Sequence, residues 1–598
     1  MCGIFGCLCN EASDAIIDGL KRLEYRGYDS VGVAVISGGR LVLEKEKGKI
    51  SEFTDRVDLS TLKGEIGLGH TRWATHGAPC KENAHPHLDC TKTLAVVHNG
   101  VLENFLDLKA ELLKRGHIFT SNTDTEVIPH LIEEGICCGM SLKAATVEAA
   151  KKTRGSMAIA VMSTAEPDRI ICVKRESPLV IGIGHNGAYC ASDISALLPH
   201  TKRIIVVPDN VVAVLERKKV SLEDLNGNPV KQSFHHINWD MKMAEKGGFP
   251  HFMIKEIHEQ PFAIANTLKL PDVFLDKASS LMDHKIYLTG SGTSYHACLT
   301  ASYIFSKILC MDVKPVYSSE FQDAVFDLEG STVIGVSQSG ETADTLNALK
   351  HAKARGAKII GITNTLGSSI TTVSNAYICT QSGPEIGVAA TKTLLTQLTA
   401  LDLLTFRFGL KTGRIAEDDY RSKLGQMARM PKIVSSIIEK FNLVQEISLK
   451  YSTRRDAFFL ARGINVATAL EGALKLKEIS YMHAEGYPAG ESKHGPISLV
   501  EKDFLCVFIA PKDDARGKVI GNMMEMKARG ADIFSIITEG DDDLKTVSDE
   551  YFSVPDVPEF IYPIICIVPL QAFAYYIAIY RGLDPDKPRN LAKSVTVL

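Results

Sequence analysis

The second residue of the chain is a cysteine, and with the leading methionine removed Cys2 would carry a thiol and a free α-amine on one residue. Such an amine has an intrinsic pKa of about 7.7–8.0. It can take the thiol's proton near neutral pH without help from a histidine. Glycines surround the site in the opening C-G-I-F-G, so backbone can pack closely against it. Further on come G-H-T-R-W-A-T-H-G at residues 69–77, H-N-G at 98–100 and T-D-T-E at 123–126. A guanidinium at Arg72 suits a carboxylate, and Asp124 suits an ammonium. The Asn99 amide with the Gly100 N–H suits an oxyanion. Together these groups could hold an amino acid by both ends and stabilise a tetrahedral intermediate. Taken singly they are less telling: Asn-Gly is a common hairpin turn and Thr-Asp a common helix cap.

These segments, with R-L-E-Y-R-G-Y-D-S-V-G at 22–32, resemble the glutaminase domain of the class II, N-terminal-nucleophile amidotransferases. The resemblance implies that Cys2 attacks the side-chain amide of glutamine and releases ammonia. It implies an oxyanion hole of Asn99 and Gly100, Arg72 on the α-carboxylate and Asp124 on the α-amine. Thr75 and His76 would line the pocket, and Trp73 resembles the family's channel gate.

A second constellation lies beyond residue 250. Two hydroxyl-rich loops, S-G-T-S at 291–294 and S-Q-S-G-E-T at 337–342, follow β-type runs and each precedes a helical pattern, beginning near Tyr295 and Ala343. Helix N-termini with free N–H groups and hydroxyls form a phosphate site. Neither loop contains lysine, and no G-x-x-x-x-G-K-[ST] occurs, which argues against a nucleotide P-loop. N-capping alone is the simpler reading of one loop; two in an open α/β unit favour a ligand.

This region is internally repeated. K-I-Y-L-T-G-S-G (285–292) resembles D-A-F-F-L-A-R-G (456–463), and V-I-G-V-S (333–337) resembles F-L-C-V-F (504–508), both shifted by 171 residues. A-R-G-A recurs at 354–357 and 528–531, a shift of 174. The period is too long for a solenoid and predicts two similar domains. The second copy lacks the hydroxyl loops but carries Glu471, Lys475 and Glu478 at i, i+4 and i+7, on one helix face. A solvated ion pair is the usual meaning of such spacing; here the apolar neighbours leave no obvious wet face.

The loops resemble the sugar isomerase (SIS) domain, and the repeat resembles the tandem SIS pair of the glucosamine-6-phosphate synthase family. By that resemblance Thr293, Ser294, Ser337, Gln338, Ser339 and Thr342 contact a sugar phosphate, and Val388 lines the sugar site. Glu478 matches the base that moves a proton between C1 and C2, with Glu471 and Lys475 in support. His494, in E-S-K-H-G-P, matches a ring-opening histidine supplied by the neighbouring subunit of a homodimer. Lys593, in the final P-R-N-L-A-K-S-V-T-V-L, matches the Schiff-base lysine. The implied reaction converts D-fructose 6-phosphate and L-glutamine to D-glucosamine 6-phosphate and L-glutamate, with ammonia passed internally. It needs no metal or organic cofactor. The rival readings are an amidotransferase for another phosphosugar, and a sugar-phosphate-binding regulator with a vestigial glutaminase.

The elements that must position these residues change character along the chain. Residues 2–238 hold short β-branched runs (31–35, 94–97, 158–162, 204–207) between helical patterns at 104–115 and 125–134, which predict a mixed layer domain rich in antiparallel sheet. Beyond it, strands alternate with long helices, as in parallel sheets covered by helices. The fold class expected is therefore multidomain α/β and α+β: a four-layer αββα Ntn-hydrolase domain (1–240), a linker (241–250), two doubly wound SIS domains (251–425 and 426–588) and a tail (589–598). At 598 residues and a net charge of −4, nothing suggests a nucleic-acid or membrane partner. The most apolar stretch, 561–580, is interrupted by Pro563, Pro569 and Gln571 and reads as a buried core helix. No signal peptide is evident. The fourteen cysteines show no C-x-x-C and no metal-ligand spacing, and read mostly as buried reduced thiols, consistent with the cytoplasm.

Overall fold

The structure, a computed structural model, describes residues 2–237 and 245–594. The boundary expected at 240 and the first part of the expected linker lie outside the described residues, as do 595–598. The chain divides into two compact units, Met1–Ala244 with Ala592–Leu598, and Glu245–Leu591.

In the first unit two antiparallel sheets lie face to face. One has eight strands, in the order 234–236, 203–206, 180–183, 187–191, 3–9, 66–72, 30–37 and 40–47; the other has six, in the order 219–224, 211–216, 169–175, 155–163, 94–102 and 87–88. Alternation along each strand splits its apolar side chains between two layers. Ile4, Leu8 and Leu68 meet Val97, Ala158 and Ala160 between the sheets. Phe5, Cys7 and Val33 pack outward with Ile16 and Leu20 of the Ala12–Leu23 helix. Val96, Ile159 and Ile171 pack on helices Phe105–Lys114, Val127–Cys137 and Leu142–Lys152. The result is the expected αββα layering.

The second unit contains two five-stranded parallel sheets. Within each repeat the strands run in the order 2-1-3-4-5: 286–290 and 332–336 are strands 1 and 3 of the first sheet, and 456–461 and 505–510 are their counterparts in the second. Identical order around equivalent anchors is what duplication predicts. One apolar core runs through both repeats, from Met253 to Ala578. The Tyr562–Tyr580 helix is long and apolar enough to span a membrane, yet it is almost wholly buried in this core. It continues through Pro569, because the surrounding side chains, not the local backbone preference, set its course.

One expectation needs correction. Of the fourteen free thiols only seven are buried, and Cys90, Cys137, Cys138 and Cys310 are exposed.

Candidate functional site

In the first unit, the Gly3–Cys9 strand pairs with Ile66–Arg72, setting Gly3 opposite Thr71. That register brings Cys2 alongside Arg72 and Trp73. The Trp73 N–H donates to Cys2 Sγ at 3.2 Å, and Sγ lies 3.5 Å from the Trp73 carbonyl oxygen. The Trp73 ring packs edge-on against Tyr28.

Asn99 and Gly100 arrive from the other sheet. They sit inside the Leu94–Leu102 strand, so the hairpin-turn reading of Asn-Gly does not apply. Asn99 Nδ2 donates to the Cys2 carbonyl oxygen at 2.8 Å. Gly100 has a φ of 137°, and a Cβ there would meet the Ser156 carbonyl oxygen at 2.1 Å. Only glycine fits this bend.

Arg72 is buried, and its Nη2 donates to the carbonyl oxygens of His76 and Gly77. Burial lowers its pKa against the pull of Cys2, Asp124 and Asp29. Its Nη1 is buried with no hydrogen-bond partner among the described residues, a donor suited to a carboxylate. Asp124 is buried too and accepts the Leu102 N–H at 2.8 Å. His76 lies edge-on to Phe105, and Thr75, just before it, is exposed.

Two residues without a role in the sequence reading support this set. His70 Nε2 contacts the Asn99 Oδ1 and the His98 carbonyl. Asp29 Oδ2 accepts the Ala74 N–H at 2.8 Å. Their neighbours in the R-G-Y-D-S and G-H-T-R-W runs were the available signal.

In the second unit, the two hydroxyl loops follow strands 1 and 3 of the first sheet, where strand order reverses. This carboxyl-edge switch point is where open α/β sheets bind ligands. The expected helix starts are close: Thr293–Leu309 and Ala343–Ala354. Ser337 Oγ lies 2.9 Å from Thr342 Oγ1 and accepts the Gly340 N–H at 3.1 Å. Gly340 has a φ of 69°, and a Cβ would lie 2.1 Å from Ser368 Oγ, so the tight loop demands glycine. Ser294 is buried, while Gln338 and Ser339 are half-buried. The Val388 N–H donates to the Asp586 carbonyl, in a segment whose neighbour Glu385 accepts the Thr391 and Thr393 amides.

The Glu471–Glu478 face is not a solvated ion pair. The side chains of Glu471 and Lys475 are each 1% exposed. Lys475 Nζ reaches both Glu471 and Glu478. Glu471 also accepts from Thr293 Oγ1 at 2.9 Å and lies 2.6 Å from His296 Nδ1. The helix of one repeat thus grips the phosphate-type loop of the other. Burial opposes the charge on Lys475, but Glu478 and Glu471 outweigh it and raise its pKa. Burial likewise opposes ionisation of Glu471, and Lys475 and His296 outweigh it, lowering its pKa. His494 is exposed at the end of the short Glu491–His494 turn. Lys593 is half-buried in the tail that groups with the first unit.

A cysteine beside an amide donor, joined in one chain to tandem parallel sheets with hydroxyl-rich loops in the first, fits a glutaminase fused to a phosphosugar-handling enzyme. Family patterns agree: the glutamine amidotransferase domain matches residues 70–199, and the SIS domain matches 282–407 and 450–581. The chain is 46% identical over 608 residues to the glutamine–fructose-6-phosphate aminotransferase (isomerizing) of Pyrococcus horikoshii, and 44% identical over 602 residues to that of Methanothermobacter thermautotrophicus, all of each chain being covered. Among solved structures it is similar to the C-terminal domain of glucosamine-fructose-6-phosphate aminotransferase from Francisella tularensis: 33% identity and a TM-score of 0.55, covering 57% of this chain and 99% of that one. The chain belongs to the glutamine–fructose-6-phosphate aminotransferase (isomerizing) family.

Proposed function

We propose that the chain transfers the amide nitrogen of L-glutamine to D-fructose 6-phosphate, giving L-glutamate and D-glucosamine 6-phosphate. Family membership supports the reaction. The observation that carries the glutaminase half is Cys2, with its sulfur against the Trp73 N–H and its carbonyl held by Asn99.

Cys2 attacks the glutamine side-chain carbonyl, and the developing oxyanion is held by the Asn99 amide and the Gly100 N–H. Ammonia leaves, and water releases glutamate from the thioester. Arg72 Nη1 takes the α-carboxylate and Asp124 the α-ammonium, with Thr75, His76 and Trp73 around the pocket. On the sugar, Thr293, Ser294, Ser337, Gln338, Ser339 and Thr342 hold the phosphate, and Val388 lines the ring site. Lys593 condenses with the open-chain ketose, Glu478 moves the proton between C1 and C2, and His494 of a second subunit assists ring opening.

The test traces the nitrogen. With amide-15N glutamine and fructose 6-phosphate, the label should appear in a 2-amino-2-deoxyhexose 6-phosphate. An unlabelled product, or turnover only with another phosphosugar, overturns the reading. Borohydride reduction with the ketose should mark Lys593. Mixing inactive His494→Ala and Lys593→Ala chains should restore activity if His494 acts across a dimer.

A further inference from the structure

Four metal-type ligands converge on one point in the first unit, and the glutaminase set uses none of them. Cys90 follows the His87–Leu88 strand, His117 follows the Phe105–Lys114 helix, and His130 and Glu133 lie one turn apart on the Val127–Cys137 helix. One donor atom of each lies within 4.8 Å of all the others. We propose that Cys90, His117, His130 and Glu133 form a structural zinc site.

Four of the six edges of the cluster match those of a tetrahedron. With Zn–S about 2.3 Å and Zn–N or Zn–O about 2.0 Å, ligand separations should be about 3.5 Å for S···N and about 3.3 Å for N···O. Cys90 Sγ lies 3.5 Å from His117 Nδ1 and 3.6 Å from His130 Nδ1. Glu133 Oε2 lies 3.1 Å and 3.2 Å from the same two nitrogens.

With a neutral His117 ring, a purely hydrogen-bonded cluster explains these contacts less well than a metal does, whereas a doubly protonated ring would satisfy both carboxylates. Both nitrogens of His117 face carboxylates, Nδ1 toward Glu133 and Nε2 toward Glu134 at 3.0 Å. A neutral ring has one proton, so it can donate to only one of them. A metal on Nδ1 places that proton on Nε2, where Glu134 accepts it; Arg115 in turn holds Glu134. This is the carboxylate–histidine–metal arrangement that fixes ligand orientation. One thiolate, one carboxylate and two neutral imidazoles also balance a divalent charge, and binding releases the Cys90 proton. Four protein donors leave no position for substrate, which marks a structural rather than catalytic site.

The frame is already rigid. Asp89 holds the Cys90 loop through the Thr93 and Leu94 amides at 2.8 Å. Phe119 packs edge-on against the His130 ring. The metal would tie the loop, the turn and the helix together.

Purified full-length chain, equilibrated with zinc at neutral pH and dialysed, is the material for the test. About one zinc per chain should remain by mass spectrometry. Cobalt substitution should give the absorption of a tetrahedral thiolate site. Cys90→Ser should lose the thiolate-to-cobalt band and most of the zinc, and His117→Ala should lose the zinc. A Cys137→Ser/Cys138→Ser variant should keep both. Removing zinc should lower the Tm of the wild type but not of Cys90→Ser. No retained zinc in the wild type, or equal zinc in wild type and Cys90→Ser, overturns the assignment.

Discussion

His70 Nε2 lies 3.0 Å from Asn99 Oδ1, and 3.2 Å from the His98 carbonyl oxygen. Both partners accept, so Nε2 carries the proton. Burial pulls the His70 pKa down to about 3, keeping the ring neutral. The contact turns the Asn99 amide so that its NH2 points at Cys2. His70 is therefore a positioning residue for the oxyanion donor. His70→Phe should lower glutaminase kcat by about 10- to 100-fold, since small misplacement of a reacting group costs that much. KM for glutamine should change little, and an unchanged kcat in folded protein would remove the role.

Cys2→Ala should abolish glutamine-dependent amino-sugar formation and leave isomerisation of fructose 6-phosphate measurable. The two chemistries draw on different residues, and apart from Lys593 in the tail the sugar set lies in the second compact unit. Loss of both in a folded variant would show that they are not separable.

Ser337→Ala and Thr342→Val should raise KM for fructose 6-phosphate by about 10- to 100-fold each, because a hydrogen bond to a charged group contributes about 1.5–3 kcal/mol. Glutaminase activity measured without sugar should not move. A selective fall in glutaminase kcat would contradict the division of labour.

Lys475→Met removes the cation between two carboxylates and strands Glu471 in the core. Breaking a buried pair this way costs about 3–5 kcal/mol, which urea unfolding would register. The pH dependence follows from Glu471. Its folded pKa is lower than its unfolded one, so its contribution is present above the unfolded pKa and disappears as pH falls through the folded pKa. Acidification should lower the urea midpoint of the wild type more steeply than that of Glu471→Gln. Parallel slopes would show that Glu471 is not the titrating group.

Much of this was legible in the sequence because the signals were local. The two hydroxyl loops and the strands before them are continuous in sequence, so their place at a sheet's carboxyl edge could be read from pattern. Cys2 and Arg72 stand 70 residues apart yet carried recognisable runs around them. Other features depend on how distant strands align. Asn-Gly resembled a turn because nothing nearby reveals that its own strand continues through it, paired along its length with a distant one. The i, i+4, i+7 spacing identified a helix face, but not that His296 and Thr293 from the other repeat cover it. The Cys90 cluster gave no signal at all, since its ligands come from a loop, a turn and a helix. Only the His130–Glu133 spacing is local, and H-x-x-E on a helix is common by chance.

The helix at Tyr562–Tyr580 has no polar side, and its neighbours come from both halves of the duplication. Neither half is therefore a transferable module. A fragment cut between 411 and 456 would leave one piece with an unfilled groove and the other with an apolar rod facing water. The ancestral copies have traded independence for a shared interior, so the sugar-handling unit should melt in one step.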